Sequence, residues 1–79
     1  MQKQEDDMTR AEFCEQMQDV LQTDAELTAE TDLNDLDEWD SLAKMATMAF
    51  FDRSLGIQIG LRDFNEVSTL GDLMVKAGL

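Results

Sequence analysis

The 79-residue sequence predicts an all-α fold, a four-helix bundle with a long loop between its first and second helices and a short third helix. Three observations carry this expectation. Proline is absent and the four glycines, Gly56, Gly60, Gly71 and Gly78, all lie in the C-terminal third, so nothing interrupts a helix before that point. Capping pairs such as Thr9 with Glu12 and Thr69 with Asp72 precede apolar runs. Within those runs the apolar residues recur at helical spacing.

The first helix is expected over residues 9–22, opened by the Thr9/Glu12 capping box and carrying Phe13, Met17, Val20 and Leu21 on one face. From Gln22 to Asp40 the composition turns to Thr, Asp, Glu and Asn, with isolated Leu27, Leu33, Leu36 and Trp39. That pattern fits a long ordered loop pinned by those four side chains. Asp40 and Ser41 are good N-cap residues, nothing from Leu42 to Leu55 breaks a helix, and Gly56 marks its C-terminal end. Residues 57–67 read as an extended link at Ile57 and Ile59 followed by one short helix. The Thr69/Asp72 pair then opens a last helix whose apolar face is Leu70, Leu73, Met74 and Ala77, ending near Gly78. Residues 1–8 are expected to be a flexible tail and residues 9–79 a single domain. Its core is expected from Phe13, Met17, Leu21, Met48, Phe51, Leu55, Phe64, Leu70 and Leu73.

Composition excludes several functions. A chain this short buries only about 60% of the surface its unfolded form exposes, leaving little interior for an enclosed catalytic site. With 18 acidic against 6 basic residues the net charge is -12, which repels nucleic acid phosphates and anionic membranes. Partners should present basic patches, and a monomer is expected. The chain has no histidine and only Cys14, so neither an internal disulfide nor a Cys/His or Ser/His nucleophile can be assembled. No enzyme and no metal site are expected. No apolar run approaches the roughly 20 residues that span a bilayer, and Met1 to Asp7 is polar and acidic, so a cytoplasmic protein is the expectation.

The second helix carries more apolar residues than one stripe requires. Met48, Phe51 and Leu55 fit a core stripe, whereas Leu42, Met45 and Ala49 form a second set that starts one residue after Ser41. Either the helix is buried all round, or the second set docks a partner, a use to which adaptable methionine is suited.

The segment Leu36-Asp37-Glu38-Trp39-Asp40-Ser41-Leu42, followed by a long helix and then Gly56-Ile57-Gln58-Ile59, resembles the acyl carrier and peptidyl carrier protein family, whose signature is Asp-Ser-Leu at the start of the second helix. The resemblance covers roughly residues 9 to 77. It implies a carrier-type bundle whose Ser41 hydroxyl receives 4'-phosphopantetheine from coenzyme A, with Asp40 as the residue a phosphopantetheinyl transferase recognises. The arm's thiol would then hold acyl or aminoacyl groups as thioesters. Further partners implied are acyl-loading ligases and acyl-transferring or synthase enzymes, docking on Leu42, Met45 and Ala49. A helix start is chemically apt for a phosphodiester, because the first turn leaves N–H groups unpaired and carries partial positive charge.

The competing reading keeps Ser41 as an ordinary N-cap and the chain as an unmodified acidic helical module that binds partners through the same apolar face. The second helix bears Lys44 and Arg53 and only Asp52 as an acid, unlike the carboxylate-rich second helix of fatty-acid carriers. The Trp-Asp-Ser-Leu form instead resembles stand-alone carriers of a dedicated pathway, such as surface polysaccharide, amino-acid or specialised lipid assembly. The acidic run Asp32 to Glu38 lacks the register of a calcium loop, having Leu36 at the fifth position and Asp37 where glycine is required. Cys14 shares a helical stripe with Met17 and Leu21 and reads as a small buried side chain. Trp39 reads as packing the loop onto the bundle.

Overall fold

The structure is a computed structural model that describes residues 8–79. Of the expected tail, Met1–Asp7 lies outside the described residues, while Met8 packs against the core.

Helix α1 spans Arg10–Leu21. Its capping box is complete: the Glu12 amide donates to Thr9 Oγ1 at 3.1 Å and the Thr9 amide donates to Glu12 Oε1 at 3.0 Å. Phe13, Met17 and Leu21, spaced by four, form its buried stripe. At the other end Gln22 takes a left-handed conformation (φ 54°), the Gln22 amide donates to the Asp19 carbonyl and the Thr23 amide to the Gln18 carbonyl. This is the Schellman closure, here built on a residue with a Cβ instead of glycine.

The loop that follows is fastened to the last helix by its backbone. Helix α3 spans Leu70–Lys76, and its first two N–H groups, which no residue of the helix can accept, donate to the loop: Leu70 to the Thr31 carbonyl at 2.9 Å and Gly71 to the Ala29 carbonyl at 2.8 Å. In return the Leu33 amide donates to the Ser68 carbonyl at 2.8 Å. Gly71 is required by this approach, because a Cβ there would lie 2.8 Å from the Ala29 carbonyl oxygen. Leu27 and Leu33 are buried, and a 3-10 turn at Leu33–Asp35, capped by the Asp32 carboxylate, completes the loop.

Helix α2 spans Ser41–Phe50 and continues as a wider π turn over Phe51–Leu55. Gly56 closes it at φ 67°, with the Gly56 amide donating to the Asp52 carbonyl and the Ile57 amide to the Phe51 carbonyl. Each bond spans one residue more than in a Schellman closure, as a π turn demands. The buried face of α2 is Ala43, Thr47 and Phe50, joined by Phe51. This corrects the expected stripe of Met48, Phe51 and Leu55: Met48 and Leu55 are only half-buried. The reason is Thr47, which is fully buried with its hydroxyl donating to the Ala43 carbonyl at 2.8 Å. With its polar atom satisfied on its own helix, it packs as an apolar residue and completes a stripe that a polar label conceals.

A second 3-10 helix, Leu61–Glu66, is the short third helix. Asp63 caps it by accepting from the Gly60 amide at 2.8 Å, and Phe64 buries its apolar side. Helix α3 begins with its own capping box at Thr69 and Asp72 and ends at Gly78, whose φ of 82° closes a second Schellman motif through Gly78–Val75 and Leu79–Met74 bonds. Lys76 ties α3 to the short helix through Asp63 at 3.9 Å and Glu66 at 3.6 Å.

The core sits where the helices converge. Phe13, Phe50 and Phe51 form an aromatic trio with ring centroids 5.9 to 6.0 Å apart in tilted and edge-on geometries. Leu33, Leu70, Leu73 and Met74 fill the other side. Four helices with no strand among the described residues bear out the all-α expectation.

Candidate functional site

Ser41 is the first residue of α2 and is exposed. Asp40 is the N-cap: its carboxylate accepts from the Ala43 amide at 2.9 Å and its carbonyl from the Lys44 amide at 2.9 Å. The N-cap role weighed for Ser41 thus belongs to Asp40. Among the described residues no hydrogen bond engages the Ser41 hydroxyl, and the amides of Ser41 and Leu42 have no acceptor. The result is a free hydroxyl beside two unpaired donors at the positive end of a helix.

The other two serines meet the opposite field. Ser54 lies in the last turn of the second helix, where the carbonyl end carries partial negative charge. Ser68 donates its amide to the Asp72 carboxylate at 2.9 Å, so an anion attached there would face a carboxylate. The Ser68 and Thr69 amides together hold the Asp72 carboxyl below the usual carboxylate range.

The second apolar set on α2 is at the surface. Leu42 is 75% exposed and Met45 57% exposed, and Ala49 is exposed beside them. The expected docking residues are therefore brought together on one solvent-facing strip next to Ser41. Two grooves flank the helix. One, of about 310 Å³, runs between the end of α1 and the start of α2, with Val20, Gln22, Glu38, Asp40, Leu42 and Ala46 among its lining residues. The other, of about 440 Å³, lies between α2 and the link after it, lined by Met45, Met48, Ala49, Asp52, Gln58 and Ile59.

Trp39 packs as expected: its ring meets Phe64 edge-on at 5.4 Å, joining the loop to the short helix. Sequence reasoning missed that Lys44 Nζ stands 5.8 Å from the centre of the same ring, a contact whose only signal was the five-residue spacing across the helix start. It also missed the contribution of Asp52 and Gln58 to the second groove, because Gln58 is brought there by the turn at Gly56. Cys14 is half-buried at the edge of a separate groove between α1 and the loop, and burial pushes its thiol above the ordinary range, away from the reactive thiolate. No helix among the described residues is long and apolar enough to cross a membrane.

The site is thus an exposed serine at the start of the second helix of a helical bundle, its hydroxyl engaged by no hydrogen bond among the described residues. The family model of the phosphopantetheine attachment site matches residues 11–74, and the chain belongs to this family. It is a carrier and not a catalyst, and its cofactor is a covalently attached 4'-phosphopantetheine. Among solved structures the chain is similar to the holo acyl carrier protein from Geobacter metallireducens, determined by solution NMR, with 27% identity, a TM-score of 0.73, and coverage of 89% of this chain and 82% of that chain. No curated protein sequence matches the chain. Carriers of this class meet phosphopantetheinyl transferases and the synthase or transferase enzymes that use their cargo.

Proposed function

We propose that Ser41 is the attachment point of the arm, that Asp40 is the residue the transferase recognises, and that Leu42, Met45 and Ala49 form the face on which partner enzymes dock. The single observation that supports this most is the free Ser41 hydroxyl at the first position of α2, beside the unpaired amides of Ser41 and Leu42. Those amides would hold a phosphodiester anion by hydrogen bonds and by the helix dipole. Asp40 orients the turn: by accepting from Ala43 it fixes the first turn of α2, at whose start Ser41 is exposed. Its carboxylate is committed to that cap and the chain has no histidine, so as Ser41 Oγ bonds the pantetheine-side phosphorus of coenzyme A and the pyrophosphate bond breaks to release adenosine 3',5'-bisphosphate, the Oγ proton leaves to a base supplied by the transferase. When attached, the arm supplies a thiol that holds an acyl or aminoacyl group as a thioester.

In this reading the carrier serves a dedicated biosynthetic pathway rather than bulk fatty-acid synthesis, and it works in the cytoplasm beside the coenzyme A that supplies the arm. Support for the dedicated pathway comes from α2: through Phe50 it bears no carboxylate, and its one charged side chain is Lys44. Docking should therefore depend on apolar contact along α2, with basic patches of the partner meeting the acidic loop at Asp35, Asp37 and Glu38. The chain acts as a monomer whose residues 9–79 are one carrier domain. Incubation with coenzyme A and a broad-specificity phosphopantetheinyl transferase tests the reading. The purified chain should gain the mass of one phosphopantetheine and Ser41→Ala none; an unmodified wild type, under conditions that convert a known carrier, sinks it.

A further inference from the structure

Helix α2 places four residues in one row starting from Ser41. Met45, Met48 and Asp52 follow it at i+4, i+7 and i+11, which is a single stripe of a helix. The groove lined by Met45, Met48, Ala49, Asp52, Gln58 and Ile59 opens along the far end of that stripe. From Ser41 to Asp52 the helix rises about 16 Å, at roughly 1.5 Å per residue. A phosphopantetheine arm has about 15 bonds from the serine oxygen to its sulfur. An extended chain gains roughly 3.3 to 3.6 Å for every three bonds, so the arm reaches about 17 Å. The distance and the reach agree.

Charge distinguishes this groove from its neighbour. The groove on the α1 side starts at Leu42, too near Ser41 for the end of an extended arm, and its two acids, Glu38 and Asp40, precede Ser41 in the chain and so stand near the attachment point instead of near the cargo. The stripe toward Asp52 has no acid before its far end. There, Asp52 is the one ionisable side chain lining the groove, and no ion pair engages it among the described residues. Gln58 adds an amide, and the two methionines offer walls that repack around small side chains.

We propose that this groove seats the distal end of the protein's own arm and that the Asp52 carboxylate favours cargo bearing a free cationic amine, a small aminoacyl group, over neutral or anionic acyl groups. The proposal rests on Ser41 as the attachment point. Asp52 is exposed, so the preference is modest, about two- to fivefold in occupancy, the range that exposed ion pairs give.

The test uses the full chain, isotope-labelled and converted by a transferase with coenzyme A analogues that carry glycyl, propionyl or malonyl groups through an amide in place of the thioester. Glycyl and propionyl have nearly the same shape and differ in charge. Intact mass is read first, then nuclear Overhauser contacts from the arm to the Met45 and Met48 methyl groups and amide shifts at Asp52, Gln58 and Ile59. Glycyl should give contacts about two- to fivefold stronger than propionyl, malonyl the weakest, and Asp52→Asn should bring glycyl down to the propionyl level. Equal contacts for all three groups would overturn the charge preference, and contacts with Val20 and Ala46 instead, or no contacts on a chain that has gained the arm, would overturn the seat as well; each leaves the attachment intact. A chain that gains no mass overturns both.

Discussion

The two faces of α2 are built from similar side chains and do different work. Ala43, Thr47, Phe50 and Phe51 are buried against Phe13 and the rest of the core. Leu42, Met45 and Ala49, a third of a turn or more away, face water. Burying a large apolar side chain contributes about 1.5 to 3 kcal/mol, so the first face holds the bundle together. The second leaves that free energy unrealised, and in the proposed function a partner enzyme covers it. Residue type alone does not separate structure from function here; position around the helix does.

The comparison breaks first if the buried face is cut. Phe51→Ala removes one of the two fully buried rings of the aromatic trio and should cost about 3 to 5 kcal/mol in urea unfolding. A loss below about 1 kcal/mol would mean that the trio does not hold α2. Gly71→Ala forces a Cβ against the Ala29 carbonyl and should cost about 1 to 3 kcal/mol, detaching the loop that precedes Ser41. Hydrogen exchange at Leu33, whose amide bonds the Ser68 carbonyl, would report that detachment. Asp40→Ala should cost about 0.5 to 2 kcal/mol from the lost cap and also lower kcat/KM for arm installation.

A pH titration sharpens the stability side. The Asp72 pKa is lowered in the folded state, chiefly by the Ser68 and Thr69 amides, so its contribution is present above the unfolded value, near about pH 4, and is lost as pH falls through the lower folded value. Asp72→Asn should remove that part of the acid sensitivity in unfolding curves collected below about pH 4. The smallest effect on stability falls on the exposed face: Met45→Ala should change it by less than about 0.5 kcal/mol while reducing kcat/KM with a partner enzyme. A large stability loss there would place Met45 in the core and remove the distinction.

Much of this was legible in the sequence because caps and periodicity are local. Thr9 with Glu12 and Thr69 with Asp72 form the capping boxes their spacing predicts, and Leu27 and Leu33 pin the loop as expected. What escaped notice depended on satisfaction or on backbone closure. Thr47 reads as polar until its hydroxyl is seen bonding the carbonyl one turn back. The π turn at Phe51–Leu55 has no residue signal, and through Gly56 it brings Gln58 and Ile59 alongside Asp52 to form the groove beside α2. The short third helix keeps its expected place but is wound as 3-10, with Asp63 capping a glycine instead of a hydroxyl residue. The α1 terminus at Gln22 uses a left-handed residue that the sequence does not mark with glycine.

The central claim concerns one of three serines, so the most direct measurement locates the modification. After treatment with coenzyme A and a phosphopantetheinyl transferase, tandem mass spectrometry of the digested chain should place the phosphopantetheine on the peptide containing Ser41, with Ser54 and Ser68 unmodified. An arm on Ser54 or Ser68, or one that persists in Ser41→Ala, would contradict the account.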